Sequence, residues 1–278
     1  MRWSALIAIA LASTAAAQQP EAPHEDDAAI VVTGRSGAVT RAYVERVARP
    51  EPGVQLARWN APLCVRFDGL GDQYAAVIKA RIVEIATGIG LKVTAPKCPT
   101  AVLIKLTDQA DALTTDLLHS YPRHIGSVTS RALPSPRLMK ALATPRTVRW
   151  LTASVTVAAD GTAINPEGTR LWMDSLIRSS TREALDSKII LIDANRLDHV
   201  SLRQFADYIT FVTLASPDLA ADFTGTDSIM ALFADAGIAP AEMTAQDLAF
   251  LEALYAVPPD RSASVQQGAI RARIKRGK

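Results

Sequence analysis

"APLCVRFDGLGDQYAAVIKARIVEIATGIG", residues 61–90, followed by "AVLIKLT", residues 101–107, is the stretch on which the fold turns. Leu63, Val65 and Phe67 alternate with Cys64 and Arg66, the period of a strand. The "GLG" that follows supplies a turn, and Asp72 stands where it can cap a helix over Gln73 to Thr87. Tyr74, Ile78, Ile82, Ile85 and Ile89 recur at the spacing of one buried helical face, and Gly88 and Gly90 stop the helix. "AVLIKLT" then reads as a second strand.

Outward from this unit, Asp108 or Asp111 opens a helix that runs to about Ser120. Residues 121–145 hold Pro122, Pro134, Pro136 and Pro145 and show no clear element. A loop of that length inside a compact domain is often a lid or binding flap. "TVRWLTASVTVAADGTAI", residues 147–164, reads as a strand with Leu151, Ala153, Val155 and Val157 on one face, closed by a tight turn at Asp160-Gly161. A charged segment, read as helical, leads to the short buried strand "SKIILIDA" at 187–194. Three helices finish the domain. The first, "SLRQFADYITFVTLA" at 201–215, places Ser201 and Gln204 as a capping box and buries Leu202, Phe205, Ile209 and Val212. The second, "DSIMALFAD", is short, and the third, "TAQDLAFLEALY", is capped by Thr244. Strands and helices followed by an all-helical end define the class as α+β, a mixed sheet with flanking helices.

The flanks carry different signals. "MRWSALIAIALASTAAAQQP" has one positive residue, an apolar run and small residues at 15–17, the pattern of a secretory signal cleaved after Ala17. Residues 1–17 are therefore expected to be removed, leaving a periplasmic or secreted protein without a transmembrane segment. Residues 18–55 read as a flexible linker, proline-bearing and acidic, with room for a short helix at "AVTRAYVERVA". The globular domain is expected over residues 56–258, and residues 259–278 as a basic, disordered tail. The formal net charge is +2, and five cations fall in the last eight residues, so the body is mildly acidic. Nothing in it supplies the basic face that a nucleic-acid partner needs. Cys64 and Cys98 are the two cysteines; an even count in an oxidising compartment predicts a disulfide.

Motifs for chemistry are scarce. There is no G-x-S-x-G elbow, and "FDGLGDQ" lacks the further residues of a nucleotide loop. His119 and His124 are five apart with Pro122 between them, a poor spacing for zinc, and no metal or other cofactor is implied. Asp193 at a strand end, with Asp207 and Tyr208 in the "FADYI" helix, are the remaining weak candidates. On its helix Asp207 is expected to face solvent, away from Phe205 and Ile209.

"LCVRFDGL", "KCPTAVLIKLTD", "QFADYITFVTLA" and "LEALY", in this order, resemble a family of exported Gram-negative proteins whose layout is similar to that of zincin-like metallopeptidases. The resemblance covers about residues 56–257 and implies a zincin-like scaffold. In a zincin the helix after the last strand carries H-E-x-x-H; here it reads Leu202-Arg203-Gln204-Phe205-Ala206-Asp207-Tyr208, so peptidase chemistry does not carry over. "IVVTGR", at 30–35, is similar to the TonB box of outer-membrane receptors, an extended peptide that adds a strand to a partner's sheet. Ile30, Val31, Val32 and Thr33 are thus a candidate partner strand. The function expected is non-catalytic: binding of an envelope protein, peptide or wall component, with a carboxylate-dependent hydrolase as the alternative.

Overall fold

The computed structural model describes residues 37–50, 53–94, 98, 101–129, 133–164, 178–234 and 239–276. Ile30 to Thr33 lie outside them.

Parallel pairing organises the centre. β1 (Val65–Asp68) runs beside β2 (Val102–Thr107), with Val65 opposite Val102, and helix α2 (Asp72–Gly88) forms the crossover. The turn out of β1 admits only glycine at position 69. Its φ is +77°, and a Cβ there would meet the Leu106 carbonyl oxygen at 2.1 Å. Gly71, rather than Asp72, is the N-cap of α2. The buried stripe is Ile78, Ile82 and Ala86, while Tyr74 is exposed.

β2 pairs in parallel with β5 (Thr181–Asp193), which pairs antiparallel with β4 (Val148–Ala158), and the two-residue β3 (Gly126–Ser127) closes the far edge. The result is a five-stranded mixed sheet of order β1-β2-β5-β4-β3, an α+β fold. The end of the segment read as a charged helix, from Thr181 on, is in fact the first half of β5. One skipped residue explains the difference. Ala153 pairs with Ser187 and Ser154 with Leu185, so Asp186 is an extra residue, a β-bulge that breaks the alternation by which a strand is read.

The loop at 121–145 also carries structure. After α3 (Ala110–Ser120) come a 3-10 turn at Pro122–His124, the edge strand β3, and α4 (Pro136–Ala143). Ser135 caps α4 by accepting from the Leu138 N–H, with Pro136 in the first turn where its missing donor costs nothing.

Helix α5 (Leu202–Ala215) is the hub. Its capping box at Ser201 and Gln204 is as the sequence predicts, but every residue from Phe205 to Ala215 is buried, not one stripe. It packs against α2, against the 3-10 turn Ile229–Phe233 and against α6 (Ala245–Ala256). A buried helix end must have its carbonyls satisfied. Lys188 Nζ donates to Val212 O and Thr213 O, Trp59 Nε1 to Thr213 O and Tyr255 Oη to Leu214 O. Burial pushes the Lys188 ammonium well below its ordinary value, against the pull of those carbonyls and of the Trp59 ring 5.8 Å away.

Both flanks of the domain belong to the fold further than the sequence suggested. The reach read as linker holds α1 (Gly37–Val47), whose Tyr43, Val44 and Val47 are core residues. The reach read as a disordered tail holds α7 (Ala263–Arg276), which packs on α1 and α6 and buries Gln266, Ile270 and Ile274. Its low amphipathicity and five terminal cations hid a stripe of only three inward residues. Cys64 and Cys98 form a disulfide with their Cα atoms 6.0 Å apart. No described helix is long and apolar enough to cross a membrane.

Candidate functional site

Three of the carboxylates that attract attention are committed to structure. Asp207 is fully buried: its carboxylate pairs with Arg81, accepts the Met243 N–H at 2.7 Å, and has Arg203 3.8 Å away. The expected solvent face does not exist, because α2 and the segment before α6 close over that side of α5. Asp193 pairs with Arg196 and accepts the Asn195 N–H, and it lines a hollow with Asp108 and Asp111 at the carboxyl ends of β2 and β5. There Asp111 bridges Arg196 and the buried Arg149. Asp247, buried at the start of α6, gathers the hydroxyls of Tyr43, Ser228 and Thr244 and the N–H groups of Ile229 and Thr244. Burial pushes its carboxyl above the usual range, partly offset by those donors.

The other sequence candidates are dispersed. Tyr208 is buried edge-on to Phe233 at 4.8 Å, and burial raises its phenol above its ordinary value. His119 and His124 are exposed, His124 standing edge-on to Tyr121 at 5.9 Å. Among the described residues no group of three or more His, Cys, Asp or Glu could hold a metal ion.

A cavity of about 350 Å³ lies instead between the 121–145 loop, β4, β5 and the C-terminal ends of α5 and α6. Leu56, Leu138, Trp150, Leu185, Phe250 and Leu254 supply apolar wall, and the hydroxyl residues Ser127, Thr152, Ser154 and Ser216 also line it. Trp150 is held by its indole N–H on Pro217 O at 2.9 Å. Thr152 and Ser216 lie 3.3 Å apart, oxygen to oxygen. Arg137 and Asp218 form an ion pair in the lining, and Arg49 also contributes to it.

Several departures from regular geometry converge here. Ser216 ends α5 in the left-handed region at φ 55°, uncommon for a residue with a side chain. Gly126 has φ +83°. The bulge at Asp186 returns Glu183 and Leu185 to the face that Lys188 and Ile190 occupy; without it Glu183 would point to the opposite side. Glu183 is thereby buried, and its two oxygens accept from Ser154 Oγ at 2.5 Å and Thr156 Oγ1 at 2.9 Å.

Glu183 and Ser154 are the pair that sequence reasoning missed. Ser154 sits in a run read for its apolar alternation, and Glu183 in a segment read as helix. The proline-rich loop, by contrast, was a usable signal, since Ile125 to Ser127 and Ser135 to Leu138 include much of the cavity lining. Comparisons with known protein families, with characterised proteins and with solved structures find no match to this chain.

Proposed function

We propose that this is a non-catalytic binding protein of the cell envelope that holds its ligand in the cavity under the 121–145 loop. The observation that carries the reading is the cavity itself: about 350 Å³, with mainly apolar walls and a few hydroxyl residues, the character of a small-ligand site. A zincin-like layout is supported by one feature, a helix buried through the middle of the domain directly after the last strand. That helix offers Asp207 and no nitrogen ligand, and Asp207 is already taken by Arg81. Export is supported by the N-terminal signal pattern and by the disulfide. Ile30 to Thr33 would serve as the strand offered to an envelope partner. The hydrolase alternative finds its best footing in Ser154 and Glu183, but there no imidazole stands between hydroxyl and carboxylate to pass the proton on.

An apolar fluorescent probe tests the binding reading. It should bind saturably and quench Trp150 emission in the unmodified protein, while Trp150→Phe loses the quenching and Leu138→Arg loses the binding. Leu138 is only half-buried on α4, so the arginine can be accommodated without unfolding. Binding that ignores Leu138→Arg would place the ligand elsewhere.

A further inference from the structure

Resting on that reading, we propose that the cavity takes an apolar ligand carrying a protonated primary amine, seated with the ammonium on Ser154, whose hydroxyl is held from behind the lining by Glu183. The buried carboxylates of this chain differ in how they are compensated. Asp207 and Asp193 each have an arginine, and Asp247 has five donors. Glu183, only 2% exposed, has two hydroxyls, and among the described residues no lysine or arginine pairs with it. A cation brought near that carboxylate would be held strongly, because little solvent screens the pair.

Hydroxyl geometry points the same way. Ser154 Oγ and Thr156 Oγ1 each donate to Glu183. Ser154 has one hydrogen; Gly126 O at 3.5 Å is the poorer acceptor and Glu183 at 2.5 Å receives it. Ser154 Oγ is then left with lone pairs only, and Ser154 is part of the cavity wall. A ligand meets an acceptor there, and an ammonium is the donor that also answers the carboxylate's charge. The other charged groups in the lining do not compete for Glu183: Arg137 is paired with Asp218, and Arg49 is exposed. Trp150, Leu185 and Leu254 complete a wall suited to an alkyl or aromatic body.

Calorimetric titration at pH 7 with n-octylamine, n-octanol and octanoate tests this on the unmodified protein. The three share a tail and differ in the head. Octylammonium should bind at least about tenfold tighter than octanol, and octanoate weakest, the ratio expected when a charged donor replaces a neutral one. In Glu183→Gln the preference for amine over alcohol should collapse to within about threefold, with octanol affinity retained. The amide can still accept from one hydroxyl and donate to the other, so this variant keeps the β4–β5 contact. Octanol binding as tightly as octylamine would overturn the proposal and leave the cavity reading standing, as would a Glu183→Gln protein that keeps its preference. No binding by any of the three would remove both.

Discussion

Removing the Asp207 carboxylate leaves Arg81 nearly buried beside an empty oxygen site and the Met243 N–H without its acceptor. Breaking one side of a buried pair costs roughly 3–5 kcal/mol. Asp207→Ala should therefore shift the urea midpoint as far as Phe205→Ala, where the cavity left behind costs about 3–5 kcal/mol. A midpoint within error of the unmodified protein would return Asp207 to the surface. Acid sensitivity has a different source. The hydrogen bond from the buried Arg149 guanidinium holds the Asp111 carboxyl below its usual range. For a lowered carboxyl the unfolded chain binds more protons, so this contribution is present above the ordinary carboxylate value, near 4, and is lost as pH falls through the folded value. Urea midpoints at pH 7, 5 and 3 should fall more steeply for the unmodified protein than for Asp111→Asn, and parallel curves would show that the pair does not govern acid stability. None of these partnerships was legible in the sequence, because Asp207 meets Arg81 across 126 positions and Arg149 meets Asp111 across 38.

At the scale of elements, local signals were reliable where chain chemistry acts locally. The capping box at Ser201, the cap at Thr244 and the Asp160-Gly161 turn depend on residues a few positions apart, and each is where the sequence placed it. Elements that depend on partners were misread. β5 loses its alternation to the Asp186 bulge, and α7 shows inward residues only at Gln266, Ile270 and Ile274 because it needs just a narrow seam on α1 and α6. Gln266 ties α7 to segments outside those two helices: it accepts from the Leu56 N–H and donates to Pro259 O at 3.1 Å. Ile270→Ala should accordingly cost about 2–5 kcal/mol, the range for a fully buried isoleucine. Thermal melts of this variant and of a chain ending at Asp260 would measure the contribution of α7. A truncated protein that melts with the full chain would mean that α7 does not support the core.

For the whole molecule, the stretch read as a linker contributes a helix to the core. α1 belongs to the core: Thr40 and Tyr43 are buried, and the Tyr43 hydroxyl donates to Asp247 at 2.7 Å, tying the first helix to the sixth. The Cys64–Cys98 bridge then closes a 34-residue separation between β1 and β2. In the chain-entropy view a loop of that size stabilises by roughly 3–4 kcal/mol. Thiol labelling of the denatured, unreduced protein should find no free thiol, and reduction should lower the melting temperature. Residues 18–36 have no part in that scaffold if Ile30 to Thr33 serve a partner. Deleting 18–36 should then leave the melting temperature unchanged, whereas deleting 18–47 should unfold the domain by opening the core at Tyr43, Val44 and Val47. Val31→Pro discriminates further, since proline removes one N–H and fixes φ, which an added strand cannot accept in its interior. Crosslinking in the periplasm should lose its partner in Val31→Pro while the purified variant melts as the parent does. A lowered melting temperature in Val31→Pro, or in the shorter deletion, would assign the segment to this domain's own sheet and withdraw the partner-strand role.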